Sequence, residues 1–272
     1  MTLGTICFSH ANGFPADTYR VLFEVWRRAG WRVIALPRIG HDMAFPVTMY
    51  WPHLRQELAQ FIEQQAPGQK VHLVGHSLGG FLSLMLAARR PELAGQVVML
   101  DSPIVSGWRS HSVTMARSLG LFKRFSPGRI SARRRYQWPD HDAAYQHYAA
   151  KAAFARWDER VLRDYIVSGT EPDPTGASPQ AVRLAFQREV ETHIYDTLPT
   201  RLGALLRRHP PQALVHFIAG TKSAELRQAG MGATRALVHE RLNWIDGTHL
   251  FPMEKPDETA AAVLRCLGPA RP

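Results

Sequence analysis

A serine flanked by glycines is the residue of this sequence that is best placed to do chemistry. Residues 75–80 read GHSLGG and directly follow the apolar run 71–74. A serine hydroxyl is a weak nucleophile, so it needs exposure on a sharp turn, a base to take its proton and amide donors for an oxyanion. Glycines permit such a turn, and the amides that begin the next helix point toward developing negative charge. We therefore predict Ser77 as a nucleophile and the amide of Leu78 as an oxyanion donor.

Two further side chains follow predicted strands and could complete this chemistry. His249 lies in a glycine-flanked loop after the last predicted strand, and Asp101 ends an earlier one. An aspartate at the end of a buried strand must be paired or hydrogen-bonded, because burying it alone costs several kcal/mol. Orienting His249 would satisfy that need. The alternative is that Asp101 only caps the turn before Pro103.

The elements that would position these residues alternate along the chain. Strand-length apolar runs alternate with helix-length segments of mixed polarity, which is typical of a parallel sheet covered on both faces. Predicted strands cover residues 5–9, 32–36, 71–75, 97–100, 214–219 and 242–245. Predicted helices cover residues 19–28, 49–65, 81–89, 231–240 and 256–266. We predict an α/β fold with a mostly parallel sheet of about six strands and helices on both faces.

The alternation stops after Asp101 and resumes near residue 212. The intervening segment is basic and rich in aromatic residues and shows no strand pattern, so we predict an inserted helical cap at residues 102–211 and a core at residues 1–101 and 212–272. Residues 171–176 hold two prolines and a glycine and are predicted to form a loop. The aromatic residues of the cap either line a pocket or pack the lobe; they include Trp108, Phe122, Phe125, Tyr136, Trp138, Tyr145, Tyr148, Phe154, Trp157 and Tyr165.

The chain resembles the α/β-hydrolase fold enzymes over nearly its whole length. Four segments carry the resemblance in the expected order, and they read SHANGFP at 9–15, ALPRIGH at 35–41, GHSLGG at 75–80 and GTHLFPMEKP at 247–256. The resemblance implies a nucleophile, acid and base in that chain order, with Ser77 first and His249 last. It also implies a cap that sets substrate choice, and it implies no cofactor.

Two positions depart from the pattern of these relatives. Residues 9–15 resemble the His-Gly turn that supplies the second oxyanion donor, but two residues interrupt the turn, so the donor is either Asn12 or Phe14. Relatives usually carry the acid a few residues after the glycine that ends the penultimate strand, where this chain has Ser223. Some members place the acid at the end of the preceding strand, which is Asp101.

We therefore predict Asp101 as the acid. Glu225 is the alternative acid, and Asp246, three residues before His249, is a third candidate.

The charge of the chain gives little evidence for a macromolecular partner. The 33 Lys and Arg exceed the 23 Asp and Glu, for a formal net charge of +10. The excess is mostly scattered arginine, which a coding bias explains, so neither nucleic acid nor a membrane is predicted as a partner. One basic stretch lacks any opposing acid; it contains Arg109, Arg117, Lys123, Arg124, Arg129, Arg133, Arg134 and Arg135. Our hypothesis is that this stretch attracts an anionic substrate through fork-like contacts.

Several reaction classes are excluded by the sequence. The two cysteines form no ligand pair, no His-Glu-x-x-His run is present, and no loop resembles a phosphate-binding loop, so no metal or cofactor is predicted. Ser77 also excludes the relatives that use an aspartate nucleophile. No apolar stretch approaches the roughly 20 residues that cross a bilayer, and we expect a cytoplasmic protein.

These observations predict a serine hydrolase that cleaves an ester or thioester of a small to medium acyl group. Its partner is a small acyl substrate, and no oligomeric state is predicted. A carbon–carbon bond hydrolase or an acyltransferase would use the same triad. A non-catalytic binding protein of the same fold is a further alternative, supported by the absence of an aspartate at position 223.

Overall fold

The computed structural model describes residues 2–104, 128–200 and 202–268. Six strands form one parallel sheet in the order β2-β1-β3-β4-β8-β9, and three short strands form a second sheet in the order β5-β7-β6. The strands are β1 (Thr5–Ser9), β2 (Arg32–Ala35), β3 (Val71–His76), β4 (Ala94–Leu100), β5 (Gln137–Trp138), β6 (Thr170–Pro172), β7 (Val182–Leu184), β8 (Val215–Gly220) and β9 (Leu242–Ile245). The predicted α/β fold with about six parallel strands is confirmed.

Helices lie between and after these strands, and a short 3₁₀ helix (Ala16–Tyr19) follows β1 and precedes the first α-helix. The helices are α1 (Arg20–Arg28), α2 (Pro52–Gln65), α3 (Leu78–Arg89), α4 (Gly128–Arg133), α5 (His141–Ala149), α6 (Glu159–Gly169), α7 (Arg188–Asp196), α8 (Leu202–Arg208), α9 (Ala224–Ala229), α10 (Gly232–Val238), α11 (Phe251–Glu254) and α12 (Pro256–Leu267).

The central sheet separates two apolar layers, because successive side chains of a strand point to opposite faces. Leu73 and Val97 face the layer that contains α2 and α3, whereas Val74 and Val98 face the layer that contains α1 and α12. All five residues of β1 are buried. Burial on both faces explains why these strands read as continuous apolar runs rather than as alternating ones.

Two helix boundaries differ from the prediction for identifiable reasons. The helix expected from residue 49 begins at Pro52, because Trp51 has a left-handed backbone with φ 59°. Proline is well suited to this first helical position. The helix expected from residue 81 begins at Leu78, because the two glycines of the motif lie inside the first turn of α3.

The expectation of a strand-free insertion is wrong, because β5, β6 and β7 form an antiparallel sheet. The predicted loop at residues 171–176 is wrong in the same way for Glu171 and Pro172, which belong to β6. Pro172 is tolerated because β6 is an edge strand, where a missing N–H breaks no ladder. Each strand has only two or three residues, which is too short to produce a periodic pattern.

The described residues between Asp101 and β8, hereafter the insertion, pack on the segment that follows β1. The Phe14 ring lies 5.6 Å from the Trp157 ring and 5.5 Å from the Tyr165 ring. On the other side, the Asp158 N–H donates to the carbonyl of Met253 at 2.9 Å. The insertion thus contacts the loops at the carboxyl edge of the central sheet.

Part of the predicted cap lies outside the described residues. This part includes Trp108, Arg109, Arg117, Phe122, Lys123, Arg124 and Phe125. No helix of the described ranges combines the length and the apolar character that crossing a membrane requires.

Candidate active site

Ser77 occupies a sharp turn between β3 and α3. Its backbone has φ 52° and ψ −113°, a conformation that residues with a side chain rarely adopt. The Ser77 N–H donates to the Leu100 carbonyl at 3.0 Å, and the Ser77 carbonyl accepts from the Ser102 hydroxyl at 2.9 Å. Bonds to the end of β4 therefore hold this backbone in place and leave the Ser77 side chain half-buried.

The glycines around Ser77 are required by close approach to other backbone atoms. A Cβ atom on Gly79 would lie 1.9 Å from the Ser9 carbonyl oxygen. A Cβ atom on Gly75 would lie 2.2 Å from the Gly79 carbonyl carbon. The start of α3 can therefore press against the ends of β1 and β3 only without side chains at these positions.

The structure brings Asp101 and His249 together. Asp101 is fully buried at the end of β4, and its Oδ2 lies 2.7 Å from His249 Nδ1. The same carboxylate accepts from the Gly220 N–H at 2.8 Å and from the Ser223 hydroxyl at 2.6 Å. These donors orient the carboxylate, and its Oδ2 accepts the Nδ1 proton, so His249 Nε2 is free to take another.

Ser223, which stands where relatives usually carry the acid, is thus a hydrogen-bond donor to Asp101. Its hydroxyl also accepts from the Leu226 N–H at 3.2 Å, which caps α9.

His249 lies beside the turn that carries Ser77. The rings of His249 and His76 are 5.0 Å apart, and His76 immediately precedes Ser77. The Ser77 hydroxyl makes no hydrogen bond to any described residue. A long contact between nucleophile and base is common before substrate binds.

The environment of His249 favours its protonated form. Burial alone lowers the pKa of an imidazole, but the hydrogen bond and charge of Asp101, together with the charge of Glu225, outweigh it. The pKa of His249 is therefore raised above its ordinary value of 6.5. Such a group takes a proton readily and holds it until a leaving group needs it.

The other two candidate acids lie in different surroundings. Glu225 is exposed, and its carboxylate, that of Asp101 and a ring nitrogen of His249 lie within 4.8 Å of one another. A metal ion could use these three groups only by replacing the hydrogen bond between Asp101 and His249. Asp246 is instead exposed and bonds to Lys222 and Thr221, so the structure does not bring it to His249.

The turn after β1 carries the two residues predicted as alternative second oxyanion donors. The Phe14 N–H donates to the Ala11 carbonyl at 3.2 Å across a turn in which Gly13 has φ 84°. Among the described residues, the amides of Asn12 and Leu78 make no hydrogen bond. Of the two predicted second donors, only Asn12 therefore has an amide free to bind an oxyanion.

A chain of three hydrogen bonds joins this turn to His249. The Ala11 N–H donates to the Tyr19 hydroxyl at 3.2 Å, and this hydroxyl lies 2.7 Å from His76 Nδ1. His76 Nε2 lies 2.8 Å from the His249 carbonyl and must carry the ring proton. Burial, aided by His249, lowers the pKa of His76 well below its ordinary value, so the ring stays neutral. Sequence reasoning missed Tyr19, which no motif marks.

His10 fixes the loop that follows β2 in a similar way. Its Nε2 accepts from the Ile39 N–H and its Nδ1 donates to the Ala11 carbonyl, both at 2.8 Å. Burial lowers the pKa of His10 to about 4. His10 therefore supports the turn as a neutral side chain.

A comparison with known proteins finds an esterase that matches part of the chain. Esterase Rv0045c from Mycobacterium tuberculosis is 35% identical over 98 residues, which are 35% of this chain and 32% of that protein. The match thus spans about a third of that relative.

Solved structures match the fold over far more of the chain. An E-2-(acetamidomethylene)succinate hydrolase has a TM-score of 0.71 at 20% identity, covering 97% of this chain and 91% of that one. A thioesterase domain from the curacin biosynthetic pathway has a TM-score of 0.67 at 17% identity, with 97% and 91% covered. The model of the alpha/beta hydrolase family matches residues 8–262. With the fold, the serine turn and this match in agreement, the chain belongs to the alpha/beta hydrolase family.

Proposed function

We propose that this protein is a serine hydrolase that cleaves a carboxylic ester or thioester of a small to medium acyl group. The observation that carries the proposal is the buried pair of Asp101 and His249 beside the strained turn of Ser77. Membership of the hydrolase family and the similarity to an esterase and a thioesterase domain support it.

Acylation begins when the Ser77 hydroxyl attacks the carbonyl carbon and His249 Nε2 takes its proton. Asp101 stabilises the resulting imidazolium, and the amides of Leu78 and Asn12 hold the oxyanion. The intermediate collapses as the bond to the alcohol or thiol breaks. His249 then gives its proton to this leaving group.

Deacylation repeats these steps with water as the nucleophile. His249 takes a proton from the water that attacks the acyl carbon of Ser77. Collapse of the second intermediate returns the proton to the Ser77 oxygen and releases a carboxylic acid. Bonds and protons balance without a cofactor.

The test is covalent labelling with a fluorophosphonate probe, read by intact-protein mass. We expect one adduct on the parent chain and none on Ser77→Ala. Ser83→Ala is the matched control, because Ser83 lies on α3 with a buried hydroxyl that has no partner among the described residues, and it should label like the parent. A parent chain that neither labels nor hydrolyses a series of activated esters would contradict the proposal.

A further inference from the structure

A charged pair is buried between the insertion and the turn after β1. Arg134, which follows α4, lies with Nη2 at 2.8 Å from Oε2 of Glu191 on α7. Their side chains are only 15% and 8% exposed. The adjacent Arg133 and Arg135 are exposed. Of the basic stretch, Arg134 is thus the member with a described side chain that points inward.

This pair is incompletely hydrogen-bonded. Although Arg134 and Glu191 form an ion pair, the contact is not aligned as a hydrogen bond, and Arg134 Nε, Arg134 Nη2 and Glu191 Oε2 have no aligned hydrogen-bond partner among the described residues. Buried donors without acceptors are rare and costly, more so when charged. A guanidinium has five N–H donors in a planar fork that matches the two oxygens of a carboxylate. Glu191 faces this edge of Arg134 without satisfying its hydrogen bonds, so a better-aligned carboxylate could replace Glu191 there.

Tyrosine side chains interact with the same guanidinium. Burial lowers the pKa of an arginine, but interactions with Tyr165, Glu191, Tyr148 and Tyr195 raise the pKa of Arg134 overall. The hydroxyls of Tyr148 and Tyr165 are 3.4 Å apart. Hydroxyl groups can donate to anion oxygens that the guanidinium leaves unpaired.

Contacts connect this pair to the proposed reaction centre. Glu191 lies against Gly13, where an added Cβ would approach Oε1 to 2.9 Å, and the Asn12 side chain donates to the Glu191 carbonyl at 3.0 Å. Burial raises the pKa of Tyr195, which also responds to the charges of Glu191, Arg134 and Glu225. The pair therefore lies against the turn that is proposed to hold the oxyanion.

We propose that Arg134 binds a carboxylate at the far end of the acyl chain, so that the preferred substrates are monoesters or monothioesters of dicarboxylic acids. The inference rests on the proposed hydrolase function and adds the substrate class to it. Glu191 orients and neutralises Arg134 while the site is empty. When substrate binds, its carboxylate replaces Glu191 at this edge of the guanidinium, and the acyl carbonyl lies over Ser77.

The test compares two esters of the same shape, the monoethyl ester of glutaric acid and the ethyl ester of its monoamide. The readout is the ratio of kcat/KM for the anionic ester to kcat/KM for the neutral one. We expect a ratio well above one for the parent. Arg134→Gln should lower it roughly 10- to 150-fold, which is the range for losing a hydrogen-bonded charge.

Control variants separate binding from structure. Arg133→Gln removes an exposed charge from the same segment and should leave the ratio unchanged. Glu191→Gln should raise the ratio, because it removes a carboxylate that competes for Arg134, whereas a purely structural pair would lower both kcat/KM values together. If Arg134→Gln fails to fold, the parent alone suffices, since glutarate should slow fluorophosphonate labelling more than glutaramide does.

Two results with this pair of esters would overturn the proposal. One is a parent that labels with the probe but prefers the neutral ester, and the other is an Arg134→Gln variant that keeps the parent ratio. A third ester, with a neutral acyl group and a phosphorylated alcohol, tests whether Arg134 instead binds an anionic leaving group. If Arg134→Gln selectively lowers kcat/KM for this ester, the proposal of a carboxylate on the acyl side is also contradicted. A parent that neither labels nor turns over any ester would refute the hydrolase function itself.

Discussion

The carboxyl edge of the central sheet and the insertion differ in how their buried polar groups are partnered. At the sheet edge, the Asp101 carboxylate accepts three hydrogen bonds, from Gly220, Ser223 and His249. In the insertion, the buried side-chain atoms without a hydrogen-bond partner among the described residues are atoms of charged groups or ring nitrogens; they belong to Arg134, Trp138, His147, Trp157, Asp164, Glu191 and Asp196. In the rest of the described chain, the unpartnered side-chain atoms are neutral; they belong to Ser9, Asn12, Thr18, Thr48 and Ser83.

This difference teaches how the two regions divide the work of the proposed enzyme. Groups that move protons are held by fixed partners, since catalysis depends on preorganised geometry. Groups that recognise a substrate keep hydrogen-bond donors and acceptors unpaired until it binds, at a cost in stability. Four predictions test this division, from the largest effect to the smallest.

The largest effect should come from adding a methyl group at the sheet edge. Gly79→Ala would press Cβ against the Ser9 carbonyl, which belongs to the sheet backbone and cannot move aside, so we expect a loss of more than about 3 kcal/mol of unfolding free energy or no folded protein. Gly169→Ala in the insertion meets only the Tyr165 ring at 3.0 Å. This ring can shift, and the cost should be far smaller. Equal melting temperatures for the two variants would contradict the division.

Replacing one carboxylate in each region by an amide should have a large effect on turnover at the sheet edge and little effect in the insertion. Asp101→Asn forces the wrong tautomer on His249 and should lower kcat by roughly 10³- to 10⁴-fold. The matched change in the insertion is Asp164→Asn, which disturbs an ion pair with Arg20 at 2.8 Å. Its kcat on the same activated ester should stay near that of the parent. A large loss in Asp164→Asn with little loss in Asp101→Asn would reverse the comparison.

The pH dependence of activity should sharpen the role of Glu225. The proposed base acts as a neutral imidazole, so kcat/KM should fall as pH drops through the pKa of His249. Burial lowers this pKa, but Asp101 and Glu225 together raise it above 6.5. Glu225→Gln removes one of the charges that raise this pKa and should move the acid limb to lower pH while kcat at high pH is retained. An unmoved limb would show that Glu225 is electrostatically silent.

The smallest effect concerns Glu57 on α2, which borders the loop after β2 rather than the insertion. Burial, with a minor contribution from Asp42, raises the pKa of Glu57 to about 7 although the Gly40 N–H opposes the shift. The folded state favours the protonated form of Glu57. The stability that this preference contributes is complete below the ordinary pKa of 4.5 and is lost as pH rises through about 7.

Glu57→Gln should therefore melt progressively higher than the parent as pH rises from 5 to 8. A constant difference in melting temperature would indicate that Glu57 is already solvated. Gln60→Glu, at the rim of the same cleft of about 340 Å³, is a control for added surface charge.

The same two regions explain what the sequence could and could not predict. In the core, β1 and β3 are long enough for their apolar runs to be recognised, and the strict local geometry around Ser77 leaves a motif of glycines. Asp101, His249 and Asn12 follow strands of one parallel sheet, so their proximity follows from chain order and fold. Their catalytic roles stay predictions.

Pairings that depend on packing left no sequence signal. Tyr19 and His76 are 57 positions apart in different elements, and no spacing rule relates them. The three strands of the insertion are shorter than any periodicity, and nothing in the run of arginines distinguishes Arg134 from its neighbours. Only the placement of α4 against α7 turns this one side chain inward.

The hydrogen bond between Asp101 and His249 spans 148 positions of the chain. At about 5–20 residues per second of synthesis, a ribosome needs roughly 7 to 30 s to travel from one to the other. During that interval the nascent chain already contains Ser77 and the amides proposed to hold the oxyanion, but it lacks the proposed base. On the proposed mechanism, hydrolysis therefore begins only when β9 and the loop after it have been made, so the unfinished protein would leave the acyl esters around it intact.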